Sequence, residues 1–166
     1  MAVNEQNAGT MSYPLTKMNF LVTIDGSTAG AAFTEVTGVE ASVDVIEFRQ
    51  GNSNSLAPIK IPGLVKHGNV TLKMGYIMGS EFKQWIMECV SERRKAMPRK
   101  TVTIELINIQ GGAPDSVVEA SVDESLIWTL KEAWVTKYSG VDLNASASEV
   151  AIETVELAYE ELEIAK

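Results

Sequence analysis

The chain has 166 residues, of which 45% are hydrophobic and 22% charged, and this length and composition suit one globular domain. Its net charge of −8 argues against a protein whose main task is binding nucleic acid, because such proteins usually carry a basic surplus. The single cysteine, Cys89, excludes an intramolecular disulfide, and no apolar run reaches the roughly 20 residues that span a bilayer.

The first residues predict a leader followed by a strand. Residues 1–12 are rich in Asn, Gln, Gly and Ser and predict a flexible leader without the apolar core of a signal peptide, so we expect assembly in the cytoplasm. Residues 13–166 then form a single domain. Lys17–Asp25 alternates in polarity and predicts a half-buried strand, with Met18, Phe20, Val22 and Ile24 on one face. Asp25-Gly26 predicts the turn that follows.

Two further strands flank a long connection. Val39–Phe48 predicts a strand with Val39, Ala41, Val43 and Val45 pointing inward, and Val70–Tyr76 predicts one with Val70, Leu72, Met74 and Tyr76 on one face. The connection Arg49–Lys66 is polar in its first half and apolar in its second. A loop of roughly 18 residues without regular structure is often functional. Its apolar side chains either cover the protein's own core or pack on a neighbouring subunit.

One amphipathic helix is predicted over Glu81–Val90, with Ser80 as its N-cap. Phe82, Trp85, Ile86, Cys89 and Val90 follow the spacing of a single apolar stripe, which we expect to cover a sheet. A basic cluster follows the helix and contains Arg93, Arg94, Lys95, Arg99 and Lys100.

Strands are predicted again over Thr101–Ile109, Val117–Val122 and Leu126–Tyr138. The segment Val150–Ile164 is ambiguous from its pattern. Its glutamates and the spacing of Ile152, Val155, Tyr159 and Leu162 favour a helix, whereas the alternation of Val155, Leu157 and Tyr159 favours a strand.

Residues of the types used in catalysis or metal binding are few and scattered, so we expect no enzyme, no cofactor and no metal site. His67 is the only histidine and is predicted to be a solvated loop residue, while Cys89 is predicted to be buried and inert. The C-terminal glutamates, which are Glu149, Glu153, Glu156, Glu160, Glu161 and Glu163, are predicted to form a solvated face. A β-rich domain must protect its strand edges, and pairing them with another copy favours a homo-oligomer.

Six segments, taken together, resemble one known family. They are Tyr13–Leu15, Phe33–Val39, Val45–Gly51, Ile61–Leu64, Asn69–Gly75 and Glu149–Glu160. In their order and spacing they are similar to the inner tube proteins of contractile injection systems and contractile phage tails. The resemblance spans Tyr13 to about Ile164 and implies that the C-terminal segment is a strand.

The resemblance implies a mainly β fold of the tail-tube (haemolysin-coregulated-protein-like) type, a small β-barrel or sandwich with one flanking amphipathic helix. It implies a structural subunit whose hexameric rings stack into a tube inside a contractile sheath and form a conduit for cargo. Implied partners are further copies of the chain, the sheath protein, baseplate or tube-initiator proteins, and luminal cargo or phage DNA in transit. We expect no stable binding to nucleic acid or membranes. The assembled tube would belong to a phage tail or a released injection particle.

Candidate inter-subunit residues come from the Arg49–Val65 connection, the basic cluster and the acidic C-terminal segment. They are Phe48, Arg49, Leu56, Ile59, Ile61, Pro62, Leu64, Arg93, Arg94, Glu153 and Glu156. Two alternatives remain open: a tube-initiator or baseplate-proximal paralogue of the same fold, and an unrelated β-barrel that binds a small ligand.

Overall fold

The structure, a computed structural model, describes residues 17–28, 31–76, 79–91, 97–107, 126–144, 146 and 149–165. Within these ranges the chain forms ten strands and one helix. The strands are β1 Phe20–Ile24, β2 Ser27–Thr28, β3 Ala32–Thr37, β4 Ala41–Phe48, β5 Ile59–His67, β6 Val70–Gly75, β7 Lys100–Leu106, β8 Leu126–Ser139, β9 Ile152–Ala158 and β10 Glu161–Ala165, and the helix is α1 Glu81–Val90. The mainly β fold with one helix is confirmed. The predicted leader, Tyr13–Leu15 and the strand at Val117–Val122 lie outside the described residues.

The strands form one large antiparallel sheet and a separate two-stranded sheet. The large sheet runs in the order β2-β1-β7-β8-β9-β6-β3, and β10 also pairs with β8. Within the described part of the chain, β4 pairs only with β5. Among the described strands no pairing joins β2 to β3, so the large sheet does not close into a barrel.

A bend in β8 divides the large sheet into two layers. Lys131 lies opposite Glu161 and Trp134 lies opposite Ala158, so β9 and β10 run beside β8 in one continuous register. Opposite the break between β9 and β10, Glu132 adopts a positive φ of 55°, and the β7 register shifts by one residue. Such a bulge bends a strand. One layer therefore contains β2, β1, β7 and β10, the other contains β9, β6 and β3, and β8 belongs to both.

The core lies between these layers and under α1. Val22 and Ile24 of β1 and Val70, Leu72 and Met74 of β6 are buried, as their alternation predicts. In α1 the buried residues are Phe82, Trp85, Ile86 and Cys89, and the helix contacts β8. Ser80 Oγ accepts a hydrogen bond from Lys83 N at 3.2 Å, which confirms the predicted N-cap. Among the described residues no helix is long and apolar enough to cross a membrane.

For three residues the predicted position on a packed apolar face is wrong. Met18 is 76% exposed and lies before β1, Tyr76 lies just after β6, and Val90 ends the helix. Each stands at or beyond the end of its element, where the packed partner surface stops.

The region between residues 32 and 67 differs most from the prediction. The strand β3 was not predicted as a strand, and the supposed loop Arg49–Lys66 contains most of β5. Val43 and Val45 were predicted to point inward but are 52% and 60% exposed, because β4 leaves the core and pairs only with β5. Gly63 lies in β5, opposite β4, near a register shift.

Candidate assembly surface

The two-stranded sheet of β4 and β5, residues 41–67, is the largest departure from ordinary burial in the described chain, and we call it the ribbon. Its apolar side chains face solvent: Leu56 is 88% and Leu64 is 74% exposed. Val43, Val45, Ile46, Phe48, Ile59, Ile61 and Val65 are exposed as well. Since contiguous exposed apolar patches of this kind mark interaction sites, the ribbon is the candidate functional surface.

Both faces of the ribbon are apolar. Val43 and Val45 lie on one face, opposite Val65 and Pro62, because alternate residues of a strand share a face and opposed residues do too. Ile46 and Phe48 lie on the other face, opposite Ile61 and Ile59. A strand that is apolar on both faces is normally covered on both. Burying the ribbon therefore requires two partner surfaces.

Charged side chains of the ribbon make contacts within it. Arg49 Nε donates to Ser55 O at 3.1 Å, and its Nη2 donates to Ser53 O at 3.4 Å, so the guanidinium organises the tip. On the strands, Lys66 Nζ lies 2.7 Å from Asp44 Oδ2. The predicted contact residue Arg49 thus shapes the loop that carries Leu56.

The base of the ribbon is fixed to the body of the protein. Gly38 has a φ of 86°, and a Cβ there would lie 2.4 Å from Asn69 O, so the two connecting segments are in close contact. Tyr159 OH donates to Glu40 O at 3.0 Å. Burial raises the pKa of Tyr159 more than this backbone hydrogen bond lowers it, so the hydroxyl keeps its proton as a donor.

His67 belongs to the same anchor, and its prediction as a solvated loop residue is wrong. It ends β5, and its ring centroid lies 5.0 Å from that of Tyr159. Its Nδ1 is buried and has no hydrogen-bond partner among the described residues. The ring packs against Tyr159 because Ala41 and His67 pair where the ribbon meets the core.

The prediction that Glu153 belongs to a solvated acidic face is also wrong. It is 3% exposed, and its Oε1 accepts hydrogen bonds from Lys83 Nζ and Tyr138 OH, each at 2.5 Å. Burial lowers the pKa of Lys83, but hydrogen bonds to Glu153 and Tyr138 outweigh it and raise that pKa above 10.5. Glu153 joins β9 to α1 inside the subunit, since its carboxylate needs a nearby cation once it is buried.

The remaining charged candidates are partly described. Arg93, Arg94 and Lys95 lie outside the described residues. Arg99 forms an ion pair with Glu160 and lies 3.7 Å from Glu132, at the bend of β8. Glu156 is half-buried, with its Oε1 3.6 Å from Lys137 Nζ on the neighbouring strand.

The other chemistry-bearing groups lie in structural positions. Cys89 is buried in the core, as predicted, with its Sγ 3.8 Å from Pro98 O. Within the described ranges, no three His, Cys, Asp or Glu side chains are placed to hold a metal ion.

Sequence reasoning missed three ribbon residues, Val43, Val45 and Ile46, as exposed apolar groups. A signal for them exists: β4 carries apolar residues at both odd and even positions, at Val43, Val45, Ile46 and Phe48. A half-buried strand is apolar at only one of the two.

Comparison with known proteins agrees with this architecture. The sequence model of one family, described as T4-like virus tail tube protein gp19, matches residues 16–163. A search of curated proteins gives no significant match.

Solved structures give full-length similarities. One is a chain of the PVC sheath–tube complex of an extracellular contractile injection system in the extended state, with 25% identity, a TM-score of 0.71 and 93% of each chain covered. A chain of the anti-feeding prophage baseplate has 24% identity and a TM-score of 0.71, over 93% of this chain and 97% of that one. A chain of the anti-feeding prophage tube-terminating cap has 23% identity and a TM-score of 0.72, over 99% of both. The last two similarities show a shared fold.

Proposed function

The chain belongs to the family of the T4-like virus tail tube protein gp19, and we propose that it is the structural subunit of the inner tube of a contractile, phage-tail-like particle. Six copies form a ring, and rings stack into a tube that serves as a conduit for cargo. The protein acts by assembly and catalyses no reaction. It assembles in the cytoplasm and then becomes part of a phage tail or a released injection particle.

The observation that carries this proposal is the ribbon with two exposed apolar faces. An isolated subunit leaves Phe48, Leu56, Ile59 and Leu64 in water, and a stacked tube offers each ribbon a neighbour within the ring and another in the next ring. Burying apolar surface on both sides supplies the driving force for assembly. Phe48, Arg49, Leu56, Ile59, Ile61, Pro62 and Leu64 form this contact.

Charged groups fix the relative position of the two contacting surfaces more than they increase the affinity. Arg93 and Arg94 meet an acidic surface of the next ring, and Glu156, which is half-buried, contributes to that surface. Glu153 does not contribute to this contact, because its carboxylate is buried against Lys83.

The sheath and the baseplate are the further partners. The solved structure of highest identity among those given above is a sheath–tube complex, and another is a baseplate. These similarities support a tube that contacts a sheath along its length and a baseplate at one end. Cargo or phage DNA passes through the lumen without stable binding, in keeping with a net charge of −8.

The ribbon contact is tested with a matched pair of leucine variants. Leu56→Asp places a charge on the ribbon, whereas Leu143→Asp places one on a leucine outside it; the two leucines are 88% and 93% exposed. Neither change removes a buried side chain, so both variants should fold. Negative-stain electron microscopy of the purified, untagged proteins over a concentration series should show tubes for the wild type and Leu143→Asp, and none for Leu56→Asp.

Tubes of Leu56→Asp at the wild-type concentration would contradict the role of the ribbon. Wild-type monomers that remain monomeric even with baseplate added would overturn the tube function.

A second candidate is a tube-initiator or end-of-tube paralogue of the same fold. Chains of a baseplate and of a terminating cap share this fold, with TM-scores of 0.71 and 0.72. Such a protein would give single rings that never stack, in the same micrographs.

A further inference from the structure

The large sheet leaves an open cavity where its two ends approach without pairing. The cavity has a volume of about 740 Å³ and lies between β3 and the start of β1, with β7 and β8 behind it. Its lining is mostly apolar and includes Met18, Phe20, Val36, Val39, Leu106 and Trp128. We call it the seam cavity.

Two strand edges that have no partner among the described strands border the seam cavity. β3 pairs with β6 on one side and with no described strand on the other. β1 pairs with β7, but β2 covers its opposite edge only at Thr23 and Ile24, which leaves Phe20–Val22 open among the described strands. Open edges beside an apolar floor are the features that accept an added strand.

We propose that the seam cavity receives the ribbon of a second copy of this chain. This inference rests on the proposed function and identifies the surface that faces the ribbon across a subunit contact. The ribbon matches the cavity in two respects. It has apolar side chains on both faces, and among the described strands each of its two strands pairs only with the other, so both outer edges are open to a further strand.

The charges of both surfaces suit this contact. On the ribbon, Asp44 is paired with Lys66, and Glu47 lies directly opposite Lys60. At the cavity, Glu35 Oε2 lies 2.8 Å from Lys73 Nζ. Docking therefore leaves these carboxylates with a cation beside them, and an unpaired buried charge is the usual obstacle to such contacts.

The ribbon of the same copy leaves the cavity open. Its apolar side chains remain exposed, and its base is held by the hydrogen bond between Tyr159 OH and Glu40 O. A ribbon that enters another copy's cavity makes a head-to-tail contact, which closes into a ring or extends along an axis.

A complementation experiment tests the contact. Met18→Asp charges the seam cavity at a residue that is 76% exposed, and Ile46→Asp charges the ribbon at a residue that is 53% exposed. Each variant alone should require about ten-fold or more the wild-type concentration to assemble, because a carboxylate is then desolvated in the contact. Met87→Asp, on an exposed methionine of α1, is the control and should assemble as the wild type does.

Mixing the two variants gives the sharpest result. Met18→Asp retains its ribbon and Ile46→Asp retains its cavity, so the mixture can make one good contact per pair. Analytical ultracentrifugation should show a one-to-one dimer in the mixture and monomers for each variant alone.

Each other outcome overturns the inference. Assembly of Met18→Asp at the wild-type concentration, with failure of Ile46→Asp, would mean that the ribbon binds elsewhere while the tube function stands. A Met18→Asp monomer that unfolds at lower urea than Met87→Asp would mean that the chain covers its own cavity. A wild type that stays monomeric even with baseplate added would overturn the proposed function itself.

Discussion

Replacing Lys83 by methionine tests the buried charge that links α1 to β9. The side chains of Lys83 and Glu153 are 23% and 4% exposed, and Nζ and Oε1 lie 2.5 Å apart. Methionine keeps most of the aliphatic stem, so the main change is a buried carboxylate without its cation. Removing one partner of a buried pair costs about 3–5 kcal/mol, and the partial exposure of Lys83 places the loss near about 3 kcal/mol.

The assay is urea unfolding of the monomer at pH 7, followed by tryptophan fluorescence. With a slope of about 2 kcal/mol per molar urea, the midpoint should fall by about 1.5 M. Lys73→Met is the matched control, since Lys73 and Glu35 are 2.8 Å apart but 42% and 46% exposed. The Lys73→Met variant should lose less than about 1 kcal/mol of unfolding free energy.

A second substitution separates charge from packing. Adding Glu153→Gln to Lys83→Met removes the uncompensated charge and keeps an acceptor for Tyr138 OH, so most of the lost stability should return. Because the pKa of Lys83 is raised, the contribution of the pair is fully present below pH 10.5 and is lost only as the pH rises through the higher folded value. The reasoning is refuted if Lys83→Met lowers the midpoint no more than Lys73→Met does.

Three further predictions concern the backbone and the ribbon anchor. Gly26→Ala and Gly38→Ala both place alanine at a positive φ. Gly26→Ala should lower the free energy of unfolding by about 1 kcal/mol. Gly38→Ala should lower it clearly more in urea unfolding, because its Cβ would also meet Asn69 O. Glu132→Gly should raise the free energy of unfolding by about 0.5–1 kcal/mol, since glycine tolerates the φ of 55° that strains the present residue, and a lower midpoint would contradict this. Tyr159→Phe should cost about 1 kcal/mol and speed amide hydrogen exchange at the ribbon base. Because the pKa of Tyr159 is raised, wild-type stability should fall as the pH rises above 10, and less so in Tyr159→Phe.

Local signals predicted α1 well. Its apolar stripe and its N-cap at Ser80 lie within a few residues of each other, and the structure has the same bounds, Glu81–Val90. The strands of the core were also predictable, because one apolar face gives a clear alternation, as at Val70, Leu72 and Met74.

The ribbon was harder to predict because its partner surface is not in the subunit. Pro62 and Gly63 suggest a turn, and proline is rare in central strands. A two-stranded ribbon has only edge strands, so β5 accommodates both residues near its register shift. Glu153 was unpredictable for another reason, since Lys83 lies 70 residues away in sequence. The pattern of the C-terminal segment did not decide between a helix and a strand, and the family resemblance correctly favoured a strand.

The position of β8 between the two layers determines how late in folding the two layers can be joined. Among the described strands, β7 reaches the layer of β9, β6 and β3 only through β8, and β9 and β10 follow all of these strands in the sequence. Until β9 pairs with both β8 and β6, the two layers are not joined by hydrogen bonds, and core residues such as Leu72 and Ile104 lie in separate half-sheets. Such late long-range pairing slows folding and exposes apolar surface. The core of the subunit is therefore complete only once β9 and β10, the last described strands, have paired with β8.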